Sequence, residues 1–528
     1  MKKNSFRIIK AVLFVYLVVT VLVPIVMLFS QIRGEDIQNV FTSAQFLPML
    51  KNSFVTTIAS TIISVAFAFV LAYVINRTNV WYRAVFMVMF SIPMLIPSIS
   101  HGMGLVLLFG DNGLLTNLLG IQINLYGYTG IIMGSVLYSF PVAFLMFFDS
   151  LQFEDYTTYE AAEVLGLSKW RQFKTITIPA MERTLVSASL AVFTMVFTDY
   201  GVPLMTGGTV MTLPVYMYRE VIGMMNFSNG AVIGVVLLAP AIIAFVGDLK
   251  NSHASGASST VVKVFQIKDN MTRDILAYIF LGVSFIIVCL PIMGFVCLSF
   301  VKQYPIDMSF TFDNISKLIS SGIGMYFVNS VAVALLTALL GTCLSYFAAY
   351  CSTRAKKRLS SQVLHFMSML PLAFPGGVLG LSYVMTFNNI PLYGTIFMLV
   401  IANIIHFFSS PYLMAYNSLS KFNPNLEDVA HTLGIGRIRM LVNVYVPSTL
   451  YTIVEMYSYF FVNAMVTISA VSFLINFRTM PLALLIPQLE SQSFIEGTAL
   501  VSLLILGVNL FEKGVAFMIK RWIKHNKL

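Results

Sequence analysis

Long apolar runs constrain this chain more than any other feature of it. Twelve stretches of about twenty predominantly apolar residues, enough for a helix to cross a ~30 Å hydrocarbon layer, run from 11–30 to 499–518 and include 84–108, 185–205, 364–387, 394–415 and 450–474. Of 528 residues, 58% are hydrophobic and 10% charged, whereas about 25% are charged in a soluble domain. Too little polar surface is left to solvate three or four globular domains. Disordered chains, disulfide-stapled secreted scaffolds and nucleic-acid modules are excluded on the same ground, and an all-α polytopic membrane protein is predicted. The first run follows Lys2, Lys3, Arg7 and Lys10 as a signal peptide would. It is too long for an h-region and no A-x-A site follows, so it reads as a retained helix.

With the N-terminus placed in the cytoplasm, every loop acquires a side, and the distribution of Lys and Arg tests the assignment. Of 32 such residues, Arg33, Lys51, Arg219, Lys302, Lys317 and Arg478 fall outside and all the rest fall inside. A missed or split span would have inverted every later loop. Twelve spans in the cell membrane with both termini cytoplasmic are therefore expected, and the net charge of +10 is topological, not a nucleic-acid footprint. Cys289, Cys297, Cys343 and Cys351 form no C-x-x-C pair, His101, His365 and His406 are widely separated, and no G-x-x-x-x-G-K-[ST] is present. No metal site, cofactor or nucleotide cradle is read in this chain.

The spans repeat. Asn52-Ser53, Tyr73 and Arg77 recur as Asn329-Ser330, Tyr350 and Arg354 at an offset of 277. Pro93, Pro97 and Gly102 recur as Pro371, Pro375 and Gly380 at 278, and Gly166 and Pro179 recur as Gly434 and Pro447 at 268. Two six-helix repeats, 1–247 and 276–528, flank a cytoplasmic linker, 248–275, that contains Asn-Ser-His-Ala-Ser-Gly-Ala-Ser-Ser. With six spans before the linker, the second repeat starts from the same side as the first, so the two are parallel.

The most informative loop reads Glu160-Ala161-Ala162-Glu163-Val164-Leu165-Gly166, then Ser168-Lys169-Trp170-Arg171, then Pro179. Helical composition up to Leu165, a glycine suited to a left-handed terminus and a capping serine predict helix–turn–helix against the membrane. Pro179 is expected to stop the second helix, and the small side chains of Ala161 and Ala162 to admit another protein. Asp428-Val429-Ala430-His431-Thr432-Leu433-Gly434, with Pro447 thirteen residues on, repeats the pattern with Asp for Glu, Val429 for the first alanine and Gly436 for the serine.

These loops resemble the E-A-A-x-x-x-G loops of binding-protein-dependent ABC importer permeases. The resemblance implies that each inserts a coupling helix into an ATPase subunit. Glu160, Ala161, Ala162, Gly166 and Pro179 would form one docking loop and Asp428, Ala430, Gly434 and Pro447 the other. It also implies two ABC ATPase subunits that hydrolyse the ATP, an extracytoplasmic solute-binding protein, and no catalysis by this chain. Two permease units in one chain look like the iron(III), 2-aminoethylphosphonate and thiamine members, and Phe197-Thr198-Asp199-Tyr200-Gly201-Val202-Pro203 is similar to a segment of the first two. Asp199 and Tyr200, at the outer end of the fifth span, and Glu455, two turns into the eleventh, are candidates for the substrate path. An ion-coupled secondary transporter of six-plus-six design is the alternative, and it leaves the paired glycine–proline loops unexplained.

The topology makes a direct prediction. In a chain cleared of its four native cysteines, single cysteines at Arg77, Lys169, Lys268, Lys357 or Arg437 should resist an impermeant thiol reagent on intact cells. Cysteines at Asn117 or Asn229 should react once any outer barrier is opened. Labelling at Lys268 from outside would leave an odd number of spans before it and destroy the parallel-repeat reading.

Overall fold

A computed structural model describes residues 3–120, 123–253, 263, 265–354, 359–423 and 425–526. Residues 254–262 and 264 of the expected linker, and Lys2, Lys356, Lys357, Arg358 and Lys527 of the charge distribution, lie outside the described residues. Helices make up most of the described residues, and one antiparallel strand pair, Val301–Gln303 with Asp307–Phe310, stands among them. Nine described helices are long and apolar enough to cross a membrane, and up to eleven if each of two bent pairs is one span.

Several of the twelve expected spans are not single helices. The run at 84–108 is a helix Arg83–Ser91, a 3₁₀ turn Ile92–Leu95 and a second helix Ser98–Phe109. The run at 364–387 breaks in the same way, with Leu359–Ala373 and Gly376–Phe387 bent by 108°. The cause is local. A proline disfavours the α conformation in the residue before it, and Ile96 (ψ 151°) and Phe374 (ψ 116°), each preceding a proline, are extended. The run at 394–415 bends by 53° between Ile396–His406 and Ser409–Ser420. The runs at 185–205 and 450–474 leave the helix at Phe197 and Val466, equivalent positions of the two repeats.

Two compact units are present, and they cut across the repeats 1–247 and 276–528. One comprises Met1–Thr42, Met217–Leu238 and Thr311–Leu528; the other comprises Ser43–Tyr216 and Ala239–Phe310. Each unit thus contains the first helix of the opposite repeat. In the larger unit, the first helix contains a π-helical turn, Val18–Leu22. The Tyr383 hydroxyl donates to the Thr20 carbonyl within it (2.7 Å). In the other unit, helix Met271–Ser299 lies so close to Ser98–Phe109 that a Cβ on Gly104 would sit 2.6 Å from the Pro291 Cβ. Phe90 packs there against Phe144 (5.6 Å) and Phe285 (6.3 Å).

The Asn-Ser pair that opens the second and eighth spans has one job in both units. Asn52 donates to the Met211 carbonyl (3.0 Å), and Ser53 accepts the Leu213 N–H (2.8 Å). Asn329 donates to the Arg478 carbonyl (2.8 Å), and Ser330 accepts the Leu482 N–H (2.7 Å). These bonds, buried at the two serines, pin the segment that follows the broken fifth or eleventh span. Ser53→Ala or Ser330→Ala strands a buried N–H, so each should cost about 1–3 kcal/mol and lower the unfolding midpoint of the purified protein. An unchanged midpoint in both variants would show that the braces bear no load.

Candidate functional site

The two glycine–proline loops adopt one geometry. In the first, helix Thr157–Val164 ends at Gly166 (φ 71°), whose N–H donates to the Glu163 carbonyl (3.0 Å) while the Leu167 N–H reaches back to the Ala162 carbonyl (3.0 Å). In the second, helix Leu426–Thr432 ends at Gly434 (φ 69°), with Gly434 bonded to the His431 carbonyl (3.2 Å) and Ile435 to the Ala430 carbonyl (2.8 Å). This paired bonding satisfies the last carbonyls of a helix and requires a left-handed residue. Short helices Lys169–Gln172 and Arg437–Met440 follow. Ser168 caps the first by accepting the Arg171 N–H (3.4 Å), and Gly436 stands at that place in the second.

Two expectations need correction here. Pro179 and Pro447 do not stop the short helices. Each lies just after a π-helical segment, Phe173–Thr177 or Leu441–Tyr445, and the chain stays helical through it. Nor do both alanines face outward. Ala162 and Ala430 are buried against their own unit, whereas Ala161 and Val429 are exposed and Glu160 is half-exposed. The small inward residue lets the helix lie flat on the bundle. What the loops offer outward is apolar: Val164 is 88% and Leu165 78% exposed, Val429 53% and Leu433 68%. Asp428 is exposed beside Val429.

Sequence reasoning missed what anchors these loops. Arg77, at the end of helix Phe46–Arg77, is buried and ion-paired with buried Glu154, and it also donates to the Leu151 carbonyl (3.3 Å). The Tyr159 hydroxyl donates to Glu154 (2.6 Å) and lies 2.7 Å from Thr177 Oγ1. Burial pushes the Glu154 carboxyl above its ordinary range, and the Tyr159 hydroxyl and Arg77 oppose that shift. In the second repeat, Arg354 grips both oxygens of Glu427 (2.7 and 2.6 Å) and donates to the carbonyls of Phe422 (3.0 Å) and Asn423 (2.7 Å). Tyr445 donates to Glu427 (2.6 Å). At the offset of 268, Glu427 occupies the place of Tyr159 and Tyr445 the place of Thr177. Both repeats therefore fasten arginine, carboxylate and phenol together, with the acid and the phenol on different segments. The signal available in the sequence was the recurrence of Arg77 as Arg354 with an acid in each loop.

The substrate-path candidates are placed differently. Asp199 is buried, accepts from the Ser98 hydroxyl (2.6 Å) on one oxygen and from the Val202 N–H (2.9 Å) on the other, and so caps helix Gly201–Thr206. It borders a cavity of about 10 Å³ lined also by Ser53, Thr57 and Ser135, space for about one water. Each of its oxygens accepts a hydrogen bond from within the chain, so Asp199 is braced by its own unit. Tyr200 is buried at the N-cap of the same helix. Glu455 is ion-paired with Lys520 (2.9 Å), whose ammonium lies 4.9 Å over the Tyr451 ring, so it ties two helices of its unit together.

Residues 64–249 and 341–524 match the family described as binding-protein-dependent transport system inner membrane component. The chain belongs to that family, twice over. As a tandem family member it is 24% identical, over 84% of this chain and 67% of the relative, to the ferric transport system permease protein of Actinobacillus pleuropneumoniae. It is 24% identical over 43% of this chain and 46% of the relative to the thiamine transport system permease protein of Haemophilus influenzae. It is 26% identical over 40% of this chain and 72% of the relative to a spermidine/putrescine transport system permease homologue of Mycoplasma pneumoniae. Membership displaces the secondary-transporter alternative.

Removing one partner of a buried ion pair strands the other, whereas removing both need not be costly. Arg77→Met should therefore destabilise its unit by about 3–5 kcal/mol, and adding Glu154→Leu should recover much of the loss in denaturant unfolding of the purified permease. A double variant no more stable than the single one would mean that the pair is not what fastens this loop.

Proposed function

We propose that this permease is the membrane-spanning subunit of an ATP-driven importer for iron(III), handed over by an extracytoplasmic binding protein. Two ATPase subunits dock on the loops 160–179 and 428–447 from the cytoplasmic side, where both termini also lie. The likeness to the ferric transport permease carries the substrate reading, because it spans both repeats whereas the thiamine and polyamine relatives match less than half of the chain. Support for the docking reading comes from the matched glycine-ended loops, each of which leaves apolar side chains exposed on its own unit.

The mechanism follows from the anchors. A docked ATPase that moves on binding ATP pulls on helix Thr157–Val164 or Leu426–Thr432. The pull passes through Glu154 to Arg77, or through Glu427 to Arg354, and so into the inner end of helix Phe46–Arg77 or Ile323–Thr353. An arginine held by carboxylate and phenol gives a short mechanical path from loop to span.

Nothing lies within 4 Å of a Cβ built on Gly166 or Gly434. Replacing either with valine therefore acts through backbone strain alone, about 1–3 kcal/mol for a non-glycine left-handed residue. The strain is nearly equal at φ 71° and 69°. Any difference between the variants reports how much each loop contributes to docking, and the first loop is expected to matter more. In cells lacking the chromosomal copy, the wild-type chain with its ATPase and binding protein should restore uptake of radioactive iron(III). Gly166→Val and Gly434→Val should each lower it tenfold or more at an unchanged amount of membrane-inserted protein. Wild-type uptake by both variants would overturn the docking loops, and restoration of thiamine but not iron uptake would overturn the substrate.

A further inference from the structure

The first coupling loop is held by something the second does not share by repeat: the segment that joins the two repeats. The Lys263 carbonyl accepts the Tyr156 N–H (3.0 Å), and the Lys263 N–H donates to Asp155 Oδ1 (3.3 Å). The Phe265 ring stands edge-on to Tyr156 (4.9 Å) and to Tyr159 (5.0 Å), and the Arg77 guanidinium lies 3.8 Å from its centroid. Lys263 is ion-paired with Glu160, and Lys268 with Glu163 (2.9 Å), which also accepts from Lys169 (2.6 Å). Those two lysines hold the Glu163 carboxyl down to about 2. Beyond the loop, Asn79 donates to Asp269 (2.8 Å) and, through its N–H, to Asp274 (3.1 Å). The segment thus runs from the coupling helix to the end of the second span.

We propose that residues 263 and 265–270 of the inter-repeat segment act as a strap that sets the position of the first coupling loop, with Phe265 as its positioning residue. The proposal rests on the docking reading above. An eight-residue helix such as Thr157–Val164 is too short to persist without tertiary support. In the second loop Arg354 supplies that support with two bonds to one carboxylate. In the first, Phe265 fills the space against the face of the guanidinium and braces both tyrosines. The lysine–glutamate pairs are exposed and screened by water and salt, so they steer the segment more than they hold it. The aromatic and cation–π contacts are the anchor. The strap also occupies Glu160 and Glu163, the two acids of the coupling helix, and leaves its apolar tip at Val164 and Leu165 exposed.

The test uses the full chain purified with its ATPase subunits in lipid nanodiscs, and compares Phe265→Ala, Phe265→Tyr and Gly166→Val with the wild type. Amide exchange and the rate of ATP hydrolysis are measured. Phe265→Ala should speed exchange over residues 157–164 tenfold or more, leave 426–432 unchanged, and lower ATP hydrolysis at least threefold. Phe265→Tyr, which keeps the ring, should restore both. Faster exchange with hydrolysis unchanged would overturn the strap as a positioning device, leaving only a structural contact. If Gly166→Val impairs hydrolysis and Phe265→Ala alters neither quantity, the strap fails and the docking reading stands. If Gly166→Val hydrolyses ATP at the wild-type rate, the docking reading fails, and the strap with it.

Discussion

Hydrocarbon offers no hydrogen-bond partner to an interrupted backbone, and both compact units are organised around that constraint. At several breaks a short polar side chain bonds to the chain beside the break. Ser98, at the start of the half-helix after Pro97, bonds to Asp199, and Asp199 in turn caps the next short helix. Ser409 donates to the carbonyls of Ser368 and Met369 (3.0 and 3.2 Å), just before the break at Pro371–Pro375. Ser53 and Ser330 receive the N–H groups of the segments after the fifth and eleventh spans. The half-helices that follow the proline breaks are also the most enclosed parts of their units, with Ser98–Leu105 and Gly376–Val384 buried throughout. Burial and breakage go together because only protein can repay the lost helical bonds there.

The two repeats preserve a function for their anchors, not a residue pattern. Three parts of the chain meet at each coupling helix: the C-terminal end of helix Phe46–Arg77 or Ile323–Thr353, the coupling helix with the residues just before it, and the chain leading out of it. The arginine stays on the first of these in both repeats. The acid sits just before the helix as Glu154 in one and within it as Glu427 in the other, and the phenol moves correspondingly from Tyr159 to Tyr445. Since the groups converge at one point, it matters little which segment carries which. That freedom lets the joining segment contribute Phe265 to one anchor only.

Much of the architecture was legible because it is written locally. Apolar runs announce spans one at a time, and a glycine needing positive φ with a proline thirteen residues later marks each loop without reference to the rest of the chain. Pro93 and Pro97 carried the break in plain view, but composition over 84–108 is uniformly apolar, so a single span was the natural reading. Contacts between distant residues were the illegible part. Asp199 looked like a carboxylate at the mouth of a pore because Ser98, its partner, is 101 residues away. Arg77 looked like one more topological charge because Glu154 is 77 residues away. No periodicity connects the first helix to its partner at Tyr383. Pairings of this kind depend on shape, which a repeat offset does not encode.

That last pairing has a consequence in time. Thr20 and Tyr383 are 363 residues apart, and a ribosome adding ~5–20 residues per second needs about 20–70 s to cover the interval. The unit ending at Phe310 is complete in sequence well before then. The first helix, already synthesised, has to wait in the bilayer with its own backbone bonds as its only internal support. Its apolar length serves it during this wait, when lipid must stand in for helix Gly376–Phe387. The chain finishes one unit while its beginning is still unassigned to the other.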